Sequence, residues 1–252
     1  MTTMALPPAR MSREHRFFLV TAIAMALLIV AAFSLDLILA RASFGLPWIF
    51  HVHAVVFMGW VALYVAQNAL ATVGPLGWHR RLGWAALAWL PAMVVLGIAM
   101  TVVSVRQHGG PPFFGLNEFL FGNVFGIAYF AAVSVAGLVL RRRTDWHRRL
   151  MYCGMASLTG PAFGRLLPIP LMMPWAWVGV ALVAPSVFPL LGIVADRRKG
   201  RVHPAWTWGW SGFVAAFVLA EVLALSPLGM AATRAFVAGT PGAMRPMNAY
   251  WP

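Results

Sequence analysis

The chain has 252 residues, 61% hydrophobic and 10% charged, with a mean hydropathy of +0.79. A soluble domain carries about 25% charged residues, so this chain has too little polar surface to cover a globule in water and reads as an integral membrane protein. Its 19 Lys and Arg against 6 Asp and Glu give +13, but the basic residues sit in short stretches between long apolar runs, which excludes a nucleic-acid-binding domain and a disordered basic tail. The first apolar run, 17–40, is too long for a signal-peptide core of about 7–15 residues. Ala40-Arg41-Ala42 loosely resembles a cleavage site, yet the run reads as an uncleaved helix. Further runs at 49–73, 82–104, 117–140, 149–168, 171–195 and 206–227 approach or exceed the roughly 20 residues that cross a bilayer. The expected fold is therefore all-α, a polytopic membrane bundle of about seven helices. Residues 1–16 form a cytoplasmic segment, 17–227 the membrane domain, and 228–252 a Gly/Pro-rich external tail lying partly on the membrane surface.

Orientation follows from the basic residues. Arg10, Arg13 and Arg16, then Arg80 and Arg81, then Arg141, Arg142, Arg143, Arg148 and Arg149, then Arg197, Arg198, Lys199 and Arg201 fall on one side, 14 of the 19. The positive-inside rule makes that side cytoplasmic, with the C-terminus outside. Cys153, the one cysteine, excludes an intramolecular disulfide and a Cys-based zinc site, and reads as a small buried hydrophobe.

Trp78-His79-Arg80-Arg81-Leu82 recurs as Trp146-His147-Arg148-Arg149-Leu150. Both copies fall on the cytoplasmic side, which suits a parallel repeat of helix pairs 2–3 and 4–5. Two readings stay open. Trp and Arg anchor helix ends at the interface. Alternatively, His79 and His147 face one another as axial ligands of a b-type haem, with Arg80 and Arg148 pairing with propionates. His203, in Gly200-Arg201-Val202-His203-Pro204, is a third candidate on that side.

The outer half holds different chemistry. His51 and His53 follow Pro47, in the first turns of the second helix. His53 begins a stripe with Trp60, Tyr64 and Gln67 on one helical face, expected to face protein or a cavity rather than lipid. Asp36, Glu118 and Glu221 lie at outer helix ends, with Asn123 and Arg165 nearby. His51, His53, Asp36, Glu118 and Glu221 form a candidate Zn, Fe, Mn or Cu site, a proton path, or a set of separate polar ends with a Glu221–Arg165 ion pair. No HExxH and no helical HxxxH pair supports a metalloprotease-like site. Pro91, Gly160-Pro161, Pro174, Pro185 and Pro189 are expected to break helices. Gly122-x-x-x-Gly126 and Gly160-x-x-x-Gly164 permit close helix packing.

The run 51–67 (HVHAVVFMGWVALYVAQ), HRRLG at 79–83, HRRLM at 147–151, Pro161 to Leu166, and Asp196 through GRVHP at 200–204 together resemble an uncharacterised group of bacterial multipass membrane proteins. The resemblance covers roughly residues 50–210. It implies a shared fold and a bacterial inner-membrane location, and it marks His51, His53, Gln67, His79, His147, Arg165 and His203 as signature positions. It names no activity. Three functions follow as expectations: a redox or cofactor protein holding haem or a transition metal between helices, a small proton-coupled transporter, and a non-catalytic assembly subunit. Expected partners are the lipid bilayer and a small hydrophobic molecule or a membrane subunit, with no nucleic acid.

Overall fold

The computed structural model describes residues 12–41 and 44–248. Arg10, Ala42 of the cleavage-like tripeptide and the last four residues of the tail lie outside these. Every regular element among the described residues is helical, and there are no strands among them. The long helices are α1 (Arg13–Ile38), α2 (Trp48–Thr72), α3 (Leu76–His108) and α4 (Leu116–Val139). Two short helices, α5 (Thr144–Ser157) and α6 (Gly160–Leu166), and a single turn, α7 (Ile169–Met172), follow. Next come α8 (Ala176–Arg197), α9 (Pro204–Leu225) and α10 (Pro227–Val237). Six of these, α1 to α4, α8 and α9, are long and apolar enough to cross a membrane.

Local chemistry sets the ends. Ser12 Oγ accepts from the His15 N–H at the start of α1 (3.2 Å), and Ser226 Oγ accepts from Gly229 N–H (3.0 Å) before Pro227 opens α10. α3 stops at Gly109, whose φ of 67° is the left-handed cap that glycine adopts without a Cβ clash. At 33 residues, α3 is about 50 Å long and outreaches a hydrocarbon core of about 30 Å. Its charged ends, Arg80 and Arg81 on one side and Arg106 on the other, sit beyond the apolar middle.

The prolines behave less uniformly than expected. Neither Pro91 nor Pro189 breaks its helix: α3 runs through Pro91 at the exposed surface, and α8 runs through Pro189, which is buried. Pro161 does divide the fifth run. It has no N–H to give Ser157, and the chain tightens there, with Leu158 and Thr159 bonding back to Met155 and Ala156. The sixth run begins at 176 rather than 171, and a π-helical turn at Gly179–Val183 precedes Pro185. The missing donor at Pro185 leaves a carbonyl in that turn to bond elsewhere.

α4 lies centrally, packed on α3, α5 and α9, while α1 covers α2 and α6. The core is built on Met25, Met93, Phe130, Tyr152 and Trp206, all fully buried. Leu27, Val95, Val139, Leu219 and Val222 point outward. Helices apolar on both faces suit a bundle whose outer solvent is lipid. Cys153 is buried beside Gly209, where a Cβ would come within 2.6 Å of its Sγ. Of the expected packing glycines, Gly122 takes the Trp177 ring and Gly160 takes the Val180 carbonyl, whereas Gly126 and Gly164 have nothing nearby. The tail as far as residue 248 packs onto the bundle. Met247 C=O accepts from Leu116 N–H, and Arg245 donates to the carbonyls of Pro111, Pro112 and Phe114, so it folds onto the ends of α3 and α4.

Candidate functional site

The second helix presents the predicted stripe inward. Trp60 and Tyr64 are buried, and His53 and Gln67 half-buried. The expected five-member metal set does not assemble. Asp36 pairs with Arg165 across α1 and α6 (2.8 Å), under the Phe33 ring that stacks on the guanidinium at 4.0 Å. That pair replaces the anticipated Glu221–Arg165 one. His51 contacts the Leu46 carbonyl at 3.1 Å, and His53 stacks on Phe57 at 4.0 Å. Among the described residues no group of three or more His, Cys, Asp or Glu is placed to hold a metal ion.

The acids Glu118 and Glu221 do come together. Glu118 Oε2 accepts from Gly115 N–H (3.1 Å), closing the first turn of α4. Glu221 accepts from Trp177 Nε1 (2.6 Å), and its carboxyl meets that of Glu118. Trp177 was not anticipated from sequence. Its seat is Gly122, whose missing side chain admits the indole between α4 and α8. Asn123 bonds within its own helix, to the Phe119 carbonyl.

At the opposite, basic end the two motif histidines meet. The rings of His79 and His147 lie 6.4 Å apart, centre to centre, with planes at 81°. Their hydrogen-bond contacts fall on Nδ1. His147 Nδ1 is 2.8 Å from the Gly137 carbonyl, and His79 Nδ1 is 3.2 Å from the Gln67 carbonyl. The Gln67 amide braces the same turn: its oxygen accepts from Gly83 N–H (2.9 Å), and its nitrogen donates to His79 Nδ1 (2.6 Å) and to the His79 carbonyl (3.1 Å). Neither Nε2 has a hydrogen-bond partner among the described residues, and each offers a lone pair to a ligand in the tautomer that carries its proton on Nδ1. Anchoring Nδ1 on a carbonyl is how a protein orients an imidazole toward a metal.

His203 stands apart from this pair. Its Nδ1 accepts from Ala205 N–H (3.1 Å), capping α9, and its ring meets Trp146 at 5.4 Å. It lies outside the spanning helices, and burial, then the charge of Arg149, hold its pKa below the usual histidine value. Arg80 is exposed, while Arg148 is held by Glu14 (2.7 Å) and by Asp145.

The second arginines of the two motifs diverge most. Arg81 lies over its own Trp78 ring at the surface. Arg149 is buried and grips Asp196 with two bonds, Nε to Oδ2 (3.0 Å) and Nη2 to Oδ1 (2.9 Å). Asp196 also accepts from Trp206 Nε1 (2.9 Å) and His203 N–H (3.2 Å), and Arg149 reaches Glu14 at 2.8 Å. This network ties α1, α5, α8 and α9 together. Sequence reading missed it. The signal was Asp196, an acid directly before Arg197, Arg198 and Lys199.

No protein-family model matches this chain, and neither the curated proteins nor the solved structures hold a significant match to it.

Proposed function

We propose that this chain is a bacterial inner-membrane redox protein whose His79 and His147 hold a b-type haem at the cytoplasmic end of the bundle. The observation that carries this reading is the 6.4 Å separation of two rings with free Nε2 atoms. Imidazoles on opposite sides of one metal, each about 2 Å from it through nitrogen, put their ring centres about 6 Å apart. Two protein donors suit haem, which brings four nitrogens of its own, better than a bare ion that needs three or four ligands from the chain. Bound there, haem supplies one-electron chemistry. Ligation requires the Nδ1–H form of both rings: His147 Nδ1 then donates to the Gly137 carbonyl and His79 Nδ1 to the Gln67 carbonyl, and the Gln67 amide nitrogen has to give up its bond to His79 Nδ1. Exposed Arg80 is available to a propionate, whereas Arg148 is engaged by Glu14 and Asp145.

The reading takes seven crossings, with α5 and α6 together as the fifth, an N-terminus in the cytoplasm by the positive-inside rule, and the two histidine hairpins, α2–α3 and α4–α5, as a divergent parallel repeat. The test is the visible spectrum of the full chain purified from haem-sufficient cells. A Soret band lost in His79→Ala and in His147→Ala, and kept in His203→Ala, is expected. Its absence from the unmodified protein, with no stoichiometric metal by elemental analysis, overturns the proposal.

A second reading, a proton-coupled carrier, rests on the meeting of Glu118, Glu221 and Trp177. Proteoliposome proton flux abolished by Glu221→Gln supports it. Flux unchanged in Glu118→Gln and Glu221→Gln removes it.

A further inference from the structure

Two cavities meet at Trp146. One, of about 480 Å³, opens at the basic end and is walled by Arg148, Arg149, Lys199, Arg201 and His203, together with the acids Glu14, Asp145 and Asp196. The other, of about 350 Å³, is an apolar groove between α4, α5 and α9, walled by Ala136, Leu140, Leu150, Trp208 and Gly212. Trp146 lines both. The change from polar to apolar runs the same way along two helices. On α5 the lining passes from Asp145, Arg148 and Arg149 at the first cavity to Leu150 in the groove, with Trp146 and Leu150 one four-residue step apart, and on α9 it passes from Pro204 at the first cavity to Trp208 and Gly212 in the groove, at four-residue steps that keep one face. Charge at the end and a greasy channel running inward is the shape of an amphiphile.

The charge balance gives the sign of the headgroup. The three acids are spent on Arg148 and Arg149, through Glu14 at 2.7 and 2.8 Å, Asp196 at 2.9 Å, and Asp145. Lys199 stands off at 3.7 Å from Glu14 and 3.9 Å from Asp196. Arg201 makes no ion pair among the described residues, and Arg148 keeps a buried Nε without a hydrogen-bond partner among them. What remains is positive, at the level where headgroups lie. Lys and Arg beside the bilayer surface attract anionic lipid.

We infer that these two cavities form one site for an anionic phospholipid, its phosphate between Lys199, Arg201 and Arg148 and an acyl chain in the groove past Trp146. The groove commits the site to a lipid rather than to a soluble phosphate compound, because only an acyl chain gains from burial against Leu140, Leu150 and Trp208. The inference is independent of haem, since the His79–His147 pair lines neither cavity.

The test is native mass spectrometry of the full chain in mild detergent, titrated with phosphatidylglycerol or phosphatidylcholine of identical chains. Phosphatidylglycerol is expected to be retained about tenfold better. Lys199→Gln with Arg201→Gln, both at exposed positions, erases that preference. Gly212→Leu, which fills the groove where a Cβ meets only Tyr129 at 3.5 Å, lowers retention of both lipids. Equal retention of the two lipids by the unmodified chain, or a preference untouched by the double variant, overturns the inference. Glycerol phosphate competing as well as the intact lipid also overturns it, by showing that the acyl chain contributes nothing. Unchanged helical circular dichroism and elution certify that each variant is folded.

Discussion

Removing the Asp196 carboxylate tests the clamp at the basic end. It receives two bonds from Arg149, one from Trp206 and one from the His203 backbone, at 2.9 to 3.2 Å. Asp196→Ala leaves a guanidinium that is 4% exposed, with the carboxylates of Glu14 at 2.8 Å and Asp145 at 3.7 Å remaining. Breaking a buried pair from one side costs about 3–5 kcal/mol, and an orphaned indole N–H adds about 1–3 kcal/mol. The Glu14 contact offsets part of this, so the net expectation is about 3–5 kcal/mol. Asp196→Asn keeps the shape and an acceptor for Trp206, and should cost roughly half, because charge-assisted bonds are about twice as strong as neutral ones. Arg149→Met with Asp196→Leu removes both charges, and exchanging a buried pair for apolar groups is often neutral. The double variant should therefore be more stable than Asp196→Ala, with a coupling energy of about 1–3 kcal/mol. Reversible SDS unfolding of the full chain in mixed micelles, followed by circular dichroism, measures all of them. Single substitutions costing under about 1 kcal/mol, as exposed pairs do, or effects additive within about 0.5 kcal/mol, refute the argument.

Three further outcomes follow from other contacts. Neutral His203 caps α9, and its folded pKa lies below the unfolded value. The stability it contributes is complete above the unfolded pKa of about 6.5 and is lost as pH falls through that value toward the folded one, because the unfolded chain takes up the proton first. The protection factor of the Ala205 amide, its exchange rate referred to the intrinsic rate at each pH, should fall on acidification in the unmodified protein and lose that dependence in His203→Asn; a protection factor flat with pH in both contradicts the cap. Gly209→Ala pushes a Cβ to 2.6 Å from Cys153 Sγ and should cost about 1–3 kcal/mol by overpacking, partly restored by Cys153→Ala; additive losses in SDS unfolding would separate the two sites. Glu221→Leu leaves Trp177 Nε1 without its acceptor and should cost about 1–3 kcal/mol, whereas Glu221→Gln keeps an oxygen there and should cost less; equal losses remove the indole bond from the account.

Composition and run length carried the fold to its class, since helices that are apolar all round need only the bilayer to explain them. They did not resolve the fifth run, because hydropathy sums over side chains and cannot register the N–H that Pro161 lacks. Pro91 and Pro189 show the converse: a proline inside an apolar run is compatible with an unbroken helix, with its ring exposed in the first case and buried in the second. The repeated WHRRL pentapeptide was the informative signal for the site, because it placed two histidines at matching helix starts, and the structure sets their rings 6.4 Å apart. The metal set failed for a reason the sequence also contained. Asp36 and Arg165 are opposite charges at similar depth, and in a low-dielectric medium they find each other before either serves a ligand.

The divergence of the two motifs follows from what each second arginine faces. Arg81 faces outward, and its own Trp78 ring is its partner. Arg149 faces the helices α1, α8 and α9, which bring Glu14, Asp196 and Trp206 against it. Desolvation of a guanidinium is tolerable only with such partners, so the identical residues Arg81 and Arg149 have opposite burial. The histidines preceding them escape this asymmetry. Each lies at the first turn of its helix with Nδ1 on a carbonyl of the neighbouring antiparallel helix, a bond that depends on the hairpin alone and not on what surrounds it. The hairpin thus presents its histidine in the same way twice, while the surroundings turn one copy into a clamp and leave the other at the surface. A pair of equivalent imidazoles on an otherwise unequal scaffold is what a two-ligand cofactor requires, and it is why the haem reading rests on His79 and His147 rather than on the arginines beside them.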